Sequence, residues 1–98
     1  MATTREYKDF VLEKINLDSI TCRPMMGEYL LYYDGTLFGG IYDDRFLVKR
    51  VEENKKYKME EVVPYDGAKP MYLVDDIDNS ELLKKIVLDT CRGLRKEK

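Results

Sequence analysis

Cys22 and Cys91 are the only thiols of this sequence, and histidine is absent. The missing imidazole removes the commonest general base and any Ser–His or Cys–His nucleophile pair. Two thiols without a histidine also fall short of the four Cys/His ligands of a structural zinc site, so no metal is expected. The adjacent acids Asp43 and Asp44 come nearest to an acid–base pair, but neighbours in a tight turn point apart, and aspartate is a turn former. The run "DDIDNSE" at residues 75–81 has a calcium-loop composition. It lacks the glycine and the distal carboxylate in their required positions, so capping of a helix by Asn79 or Ser80 is the better reading. Gly27, Gly35, Gly39 and Gly40 show neither G-x-G-x-x-G nor Walker spacing. Cys22 has no predicted basic helix terminus beside it and reads as a buried structural thiol. No catalytic residue emerges.

The elements that would position a site follow from periodicity and turn chemistry. Residues 3–16 read as a helix, with Thr3 and Glu6 at capping-box spacing and Tyr7, Phe10, Val11 and Ile15 at helical intervals. Residues 20–25 are extended, and Pro24 restricts them to an edge or an entry bend. Residues 28–33 and 36–42 flank Asp34-Gly35, a strong type I′ hairpin signal. A third strand over 45–50 follows the Asp43-Asp44 turn. Residues 51–61 are polar and suggest a short, weakly held helix. Residues 62–65 and 69–74 form a second hairpin around Asp66-Gly67. A last helix carries Leu83, Ile86, Val87, Thr90, Cys91 and Leu94 on one face. The predicted class is α+β: one antiparallel sheet of about five strands with the helices packed on one face.

Alternation sorts the meander into two faces. Unbroken two-residue hairpins would set Leu31 opposite Phe38, Tyr29 opposite Gly40, and Gly40 opposite Leu47. Leu30, Tyr32, Leu37, Gly39, Ile41, Phe46 and Val48 then form an aliphatic face suited to lie under helices. The other face gathers Tyr29, Leu31, Tyr33, Phe38, Tyr42, Arg45, Leu47 and Lys49, with Tyr29 lying over Gly40. Such a patch is more apolar than a monomer usually exposes. Three readings follow: cover by the chain's own elements, an interface with a second copy or a protein partner, or a platform for single-stranded nucleic acid. The interface is the expectation adopted, with Phe38→Asp expected to disrupt it and leave the fold intact.

Composition narrows the classes further. Hydrophobic residues make up 44% and charged residues 37%, which suits a folded, water-soluble chain. Seventeen basic against nineteen acidic side chains leave a net charge of −2, which argues against non-specific nucleic-acid binding. Neither a membrane span nor a secretory leader is legible, so a cytoplasmic protein with both cysteines as free thiols is expected. The whole chain, 1–98, reads as a single domain.

Several residues in this order resemble the N-terminal domain of the TfoX/Sxy family of competence regulators. The matching positions are Arg23, Met25 and Gly27 in "RPMMG", Tyr32, the Asp34-Gly35 turn, Phe38, and Asp44, Arg45 and Lys49 in "DDRFLVK". "KPM" at residues 69–71 matches more loosely. Met26 and Glu28 depart from an aromatic and a glycine common in the family. The resemblance implies a stand-alone first domain without the helical second domain of larger members. It further implies a non-enzymatic regulatory role through protein contacts, with no cofactor and no catalytic residue.

Overall fold

The computed structural model describes residues 3–96. The element order is α1 (Arg5–Ile15), β1 (Ile20–Met25), β2 (Glu28–Tyr33), β3 (Thr36–Ile41), β4 (Phe46–Val48), a 3-10 helix (Glu52–Tyr57), β5 (Glu60–Val62), β6 (Met71–Val74) and α2 (Ser80–Lys96). The strands form one antiparallel sheet in the order β1-β2-β3-β4-β6-β5. The α+β class and the helix-on-sheet layout hold, with six strands in place of about five. The additional strand is β1, whose Pro24 is accommodated because β1 is an edge.

Local chemistry explains most boundaries. Thr4, rather than Thr3, caps α1 by accepting the Tyr7 N–H at 3.2 Å. Thr3 is instead buried: its hydroxyl donates to Glu28 Oε1 at 2.6 Å and accepts the Asp44 N–H at 3.1 Å. Asp34 and Gly35 have φ of 48° and 81°, as a type I′ turn requires. Asp43 and Asp44 repeat the device at φ of 53° and 56°, between reciprocal backbone bonds of Tyr42 and Arg45. Asn79 caps α2, its side chain accepting the Leu82 N–H at 3.1 Å. The second hairpin is shorter than expected, since 63–65 and 69–70 leave the ladder and Pro64 and Pro70 cannot donate to one.

One irregularity decides which way the sheet faces. Tyr33 pairs with Thr36 and Tyr32 with Leu37, but Leu31 pairs with Gly39, so Phe38 is an extra residue in β3. Beyond this bulge the register is shifted by one relative to an unbroken hairpin: Leu30 lies opposite Gly40 and Tyr29 opposite Ile41. A one-residue slip exchanges the faces of a strand. Gly39 lets β4 come close beside the bulge, because a Cβ there would stand 2.9 Å from Val48 Cα.

The core therefore joins halves of the two predicted faces: Leu31 and Phe38 come from the face assigned to a partner, and Ile41, Phe46 and Val48 from the face expected beneath the helices. Leu31, Phe38, Ile41, Phe46, Val48, Tyr72 and Val74 pack beneath Val11 and Ile15 of α1 and Leu83, Ile86, Val87 and Cys91 of α2. Phe38 and Phe46 meet edge to face at 6.4 Å. The segment 51–57 is better anchored than its polarity suggests. Wholly buried Asn54 donates to Lys49 O at 2.8 Å and Thr90 Oγ1 at 2.9 Å, and accepts the Val51 N–H. Tyr57 donates to Asp89 at 2.6 Å, tying the same helix to α2.

Candidate functional site

Leu31, Phe38 and Leu47 are fully buried within one chain, so they cannot present the interface expected of them. Leu31 and Phe38 belong to the helix-covered core because of the bulge. Leu47 is on the opposite face, paired with Gly40 and Leu73, and is covered there. Tyr29 and Tyr33 edge the core half-buried, beneath Lys8 Nζ at 5.4 Å and the Arg95 guanidinium at 5.8 Å. Arg45 turns back on its own loop, Nε donating to Tyr42 O at 3.3 Å. The expectation that Phe38→Asp leaves the fold intact falls with these placements.

The face without helices carries the alternative. Thr21, Arg23 and Met25 of β1 share it with Leu30 and Tyr32 of β2 and Leu37 of β3. Leu30, Tyr32 and Leu37 were expected beneath the helices; they are half-exposed here, since the bulge placed their neighbours in the core. The aromatic that covers Gly40 is Tyr42, whose ring would lie 2.8 Å from a Cβ at that glycine, in place of the expected Tyr29. Tyr65 reaches in from the 63–70 loop to within 6.1 Å of the Tyr42 ring. Burial pushes the Tyr42 phenol above its ordinary value, and Tyr65 and the Glu28 carboxylate push it further.

Between that loop and the meander runs a groove of about 530 Å³. Met25, Leu30 and Leu37 form one wall, Pro70 and Met71 the other, and Leu94 of α2 ends it. Lys49, Arg50 and Lys69 supply three cations, and among the described residues no carboxylate or thiol lines it. The lining can bind apolar groups and anions, but it holds no paired acid and base. Of the residues singled out as a binding face, Tyr42 and Lys49 contribute to it. Leu30 and Leu37 were not assigned outward because that needs the bulge, which only the Gly39-Gly40 pair signals.

The motif positions have mixed roles. Met25 and Lys49 line the groove, and Arg23 is exposed on the same face. Gly27 and Gly35 take positive φ in turns. Asp44 holds the start of α1, its Oδ1 accepting the Thr4 N–H at 2.9 Å. The remaining reactive groups lie elsewhere. Burial pushes the Cys91 thiol up to about 11 against the opposing effect of Arg95, so it is protonated near neutral pH. Cys22 and Cys91 are both free. No group of three or more His, Cys, Asp or Glu among the described residues is arranged to hold a metal. No helix among them is long and apolar enough to cross a membrane.

Comparison with known proteins agrees with the motif. The family model of the TfoX N-terminal domain matches residues 12–88. An uncharacterized 12.7 kDa protein in the trpE 5′ region of Spirochaeta aurantia is 31% identical over 80 residues, spanning 79% of this chain and 70% of that protein. The matched region runs from the last turn of α1 through the first half of α2, taking in the six strands and every groove-lining residue but Leu94, and the chain belongs to the TfoX N-terminal domain family.

Proposed function

We propose that this domain is a non-enzymatic regulatory module that holds a protein partner in the groove on the helix-free side of its sheet. One observation carries the reading: half-exposed Leu30, Leu37 and Met71 lie beside Lys49, Arg50 and Lys69, with no carboxylate in the lining. Apolar surface rimmed by polar groups is the usual composition of a protein contact. Family membership supports a regulatory role. On this reading the protein works in the cytoplasm, where free thiols persist.

A photo-crosslinking residue tests this in the native cell. Placed at Leu37 in the groove, it should give a discrete protein adduct; placed at Leu88, an exposed apolar position on α2, it should not. The captured protein, once purified, should bind the wild type and not Leu37→Arg. Equal labelling from both positions, or adducts to nucleic acid alone, would count against the proposal.

A further inference from the structure

We infer that the groove takes a short acidic segment of the partner, whose carboxylates meet Lys49 and Lys69 while its apolar side chains rest on Leu30, Leu37 and Met71. The inference depends on the groove being a docking site and adds the chemistry of its occupant.

Charge distribution is the first argument. The chain carries more acids than bases, yet among the described residues no carboxylate lines this groove. Elsewhere Lys8, Lys14, Lys55, Lys56 and Lys96 each meet a carboxylate within 4.0 Å, while Lys58, Lys84 and Lys85 meet none among the described residues. In the groove Arg50 is matched by Glu61 at 3.1 Å, but neither Lys49 nor Lys69 meets a carboxylate among the described residues. Two cations beside an apolar floor are complementary to an anionic segment that also carries apolar side chains.

The second argument is rigidity. Lys49 is half-buried, and its backbone is held at both ends: its N–H donates to Phe38 O at 2.8 Å, and its carbonyl accepts from Asn54 at 2.8 Å. With the backbone fixed and the stem half-buried, less of this residue remains to be ordered when its partner arrives. Met25 and Met71, unbranched and polarizable, let both walls adapt to different apolar side chains. A volume of about 530 Å³ accommodates a few side chains of a segment rather than the face of a domain.

Nucleic acid fits less well. Its single strands are gripped by open aromatic faces. Here Tyr42 is 6% exposed, which leaves Tyr65 as the one open ring of the lining among the described residues, too few for successive bases to stack on.

The test titrates the ¹⁵N-labelled protein with four defined probes. These are acetylated ten-residue peptides alternating Glu with Leu, Lys with Leu, or Glu with Ser, and a ten-nucleotide oligothymidylate. The Glu–Leu peptide should bind tightest and shift the amides of Leu37, Lys49, Lys69 and Met71 while sparing residues 84–88 of α2. Added salt should weaken it. The double variant Lys49→Gln/Lys69→Gln, shown to be folded by its amide spectrum, should lose about tenfold in affinity, the usual scale for two rim charges. Equal binding of the Lys–Leu peptide, an unaffected double variant, or no shift at the groove amides would overturn the acidic-segment inference. Those results leave the docking proposal to the crosslinking experiment. Tightest binding of the oligothymidylate would overturn both.

Discussion

Phe38 occupies the extra position of β3, wholly buried with its ring edge against Phe46. Phe38→Ala should cost about 3–5 kcal/mol in urea denaturation, the range for a buried phenylalanine. Phe38→Asp would place a carboxylate among apolar side chains, and a domain of this size has only about 5–15 kcal/mol in total. Its far-UV spectrum should be that of an unfolded chain; a native spectrum would mean that Phe38 is not part of the core. Asn54 shows the same principle with a polar group. It is tolerated at zero exposure because its amide both donates and accepts, joining the end of β4 to the 3-10 helix and α2. Nothing in its neighbours along the chain marks it, since its partner Thr90 lies 36 residues away.

Among the elements, α2 contains a glycine in its fourth turn that an isolated helix would replace with profit. Gly93 is buried, and a Cβ there would stand 2.7 Å from the Val51 side chain. Helix propensity favours Gly93→Ala by about 1 kcal/mol. Displacing the 3-10 helix should cost more, so thermal unfolding should show net destabilisation. A higher midpoint would mean that Val51 yields freely. The element pattern was legible wherever a local signal set it: the Asp-Gly turn, the α2 stripe, the proline at an edge. Facing was not legible. The aliphatic and aromatic residues of β2 and β3 are apolar on both sides, so periodicity alone does not choose the buried one. A bulge at a glycine pair then joined halves of the two predicted faces: Leu31 and Phe38 entered the core beside Ile41, Phe46 and Val48, while Leu30 and Leu37 became groove wall.

At the scale of the molecule, the 3-10 helix is clamped to α2 by charge as well as by packing. Asp89 accepts from Tyr57 and meets Lys56 at 3.0 Å and Arg92 at 2.7 Å. Burial pushes its carboxyl up, but these bonds and the two cations together hold it below its ordinary value. The sign follows from linkage. A depressed carboxyl stabilises the fold above the unfolded value near ~4, and that contribution disappears as pH falls through the folded value. Wild type should therefore exceed Asp89→Asn in urea midpoint at pH 7, with the gap closing toward pH 2. A gap independent of pH would show that the charge of Asp89 contributes nothing.

The bulge also gives the chain a parity. Leu37 points to the groove, Phe38 and Ile41 to the core, and Gly40 to the groove side again, so β3 satisfies both faces only by containing one residue more than strict alternation allows. Between the Asp34-Gly35 and Asp43-Asp44 turns, then, the number of residues carries information that their identities do not. A substitution there removes one contact. Loss of a single residue would turn one half of the strand over relative to the other, sending core side chains to water and groove side chains to the helices. The 63–70 loop obeys no such arithmetic, since its residues lie outside the ladder. Length is thus constrained on one side of the groove and free on the other, and the loop side is where relatives can vary the groove without disturbing the fold.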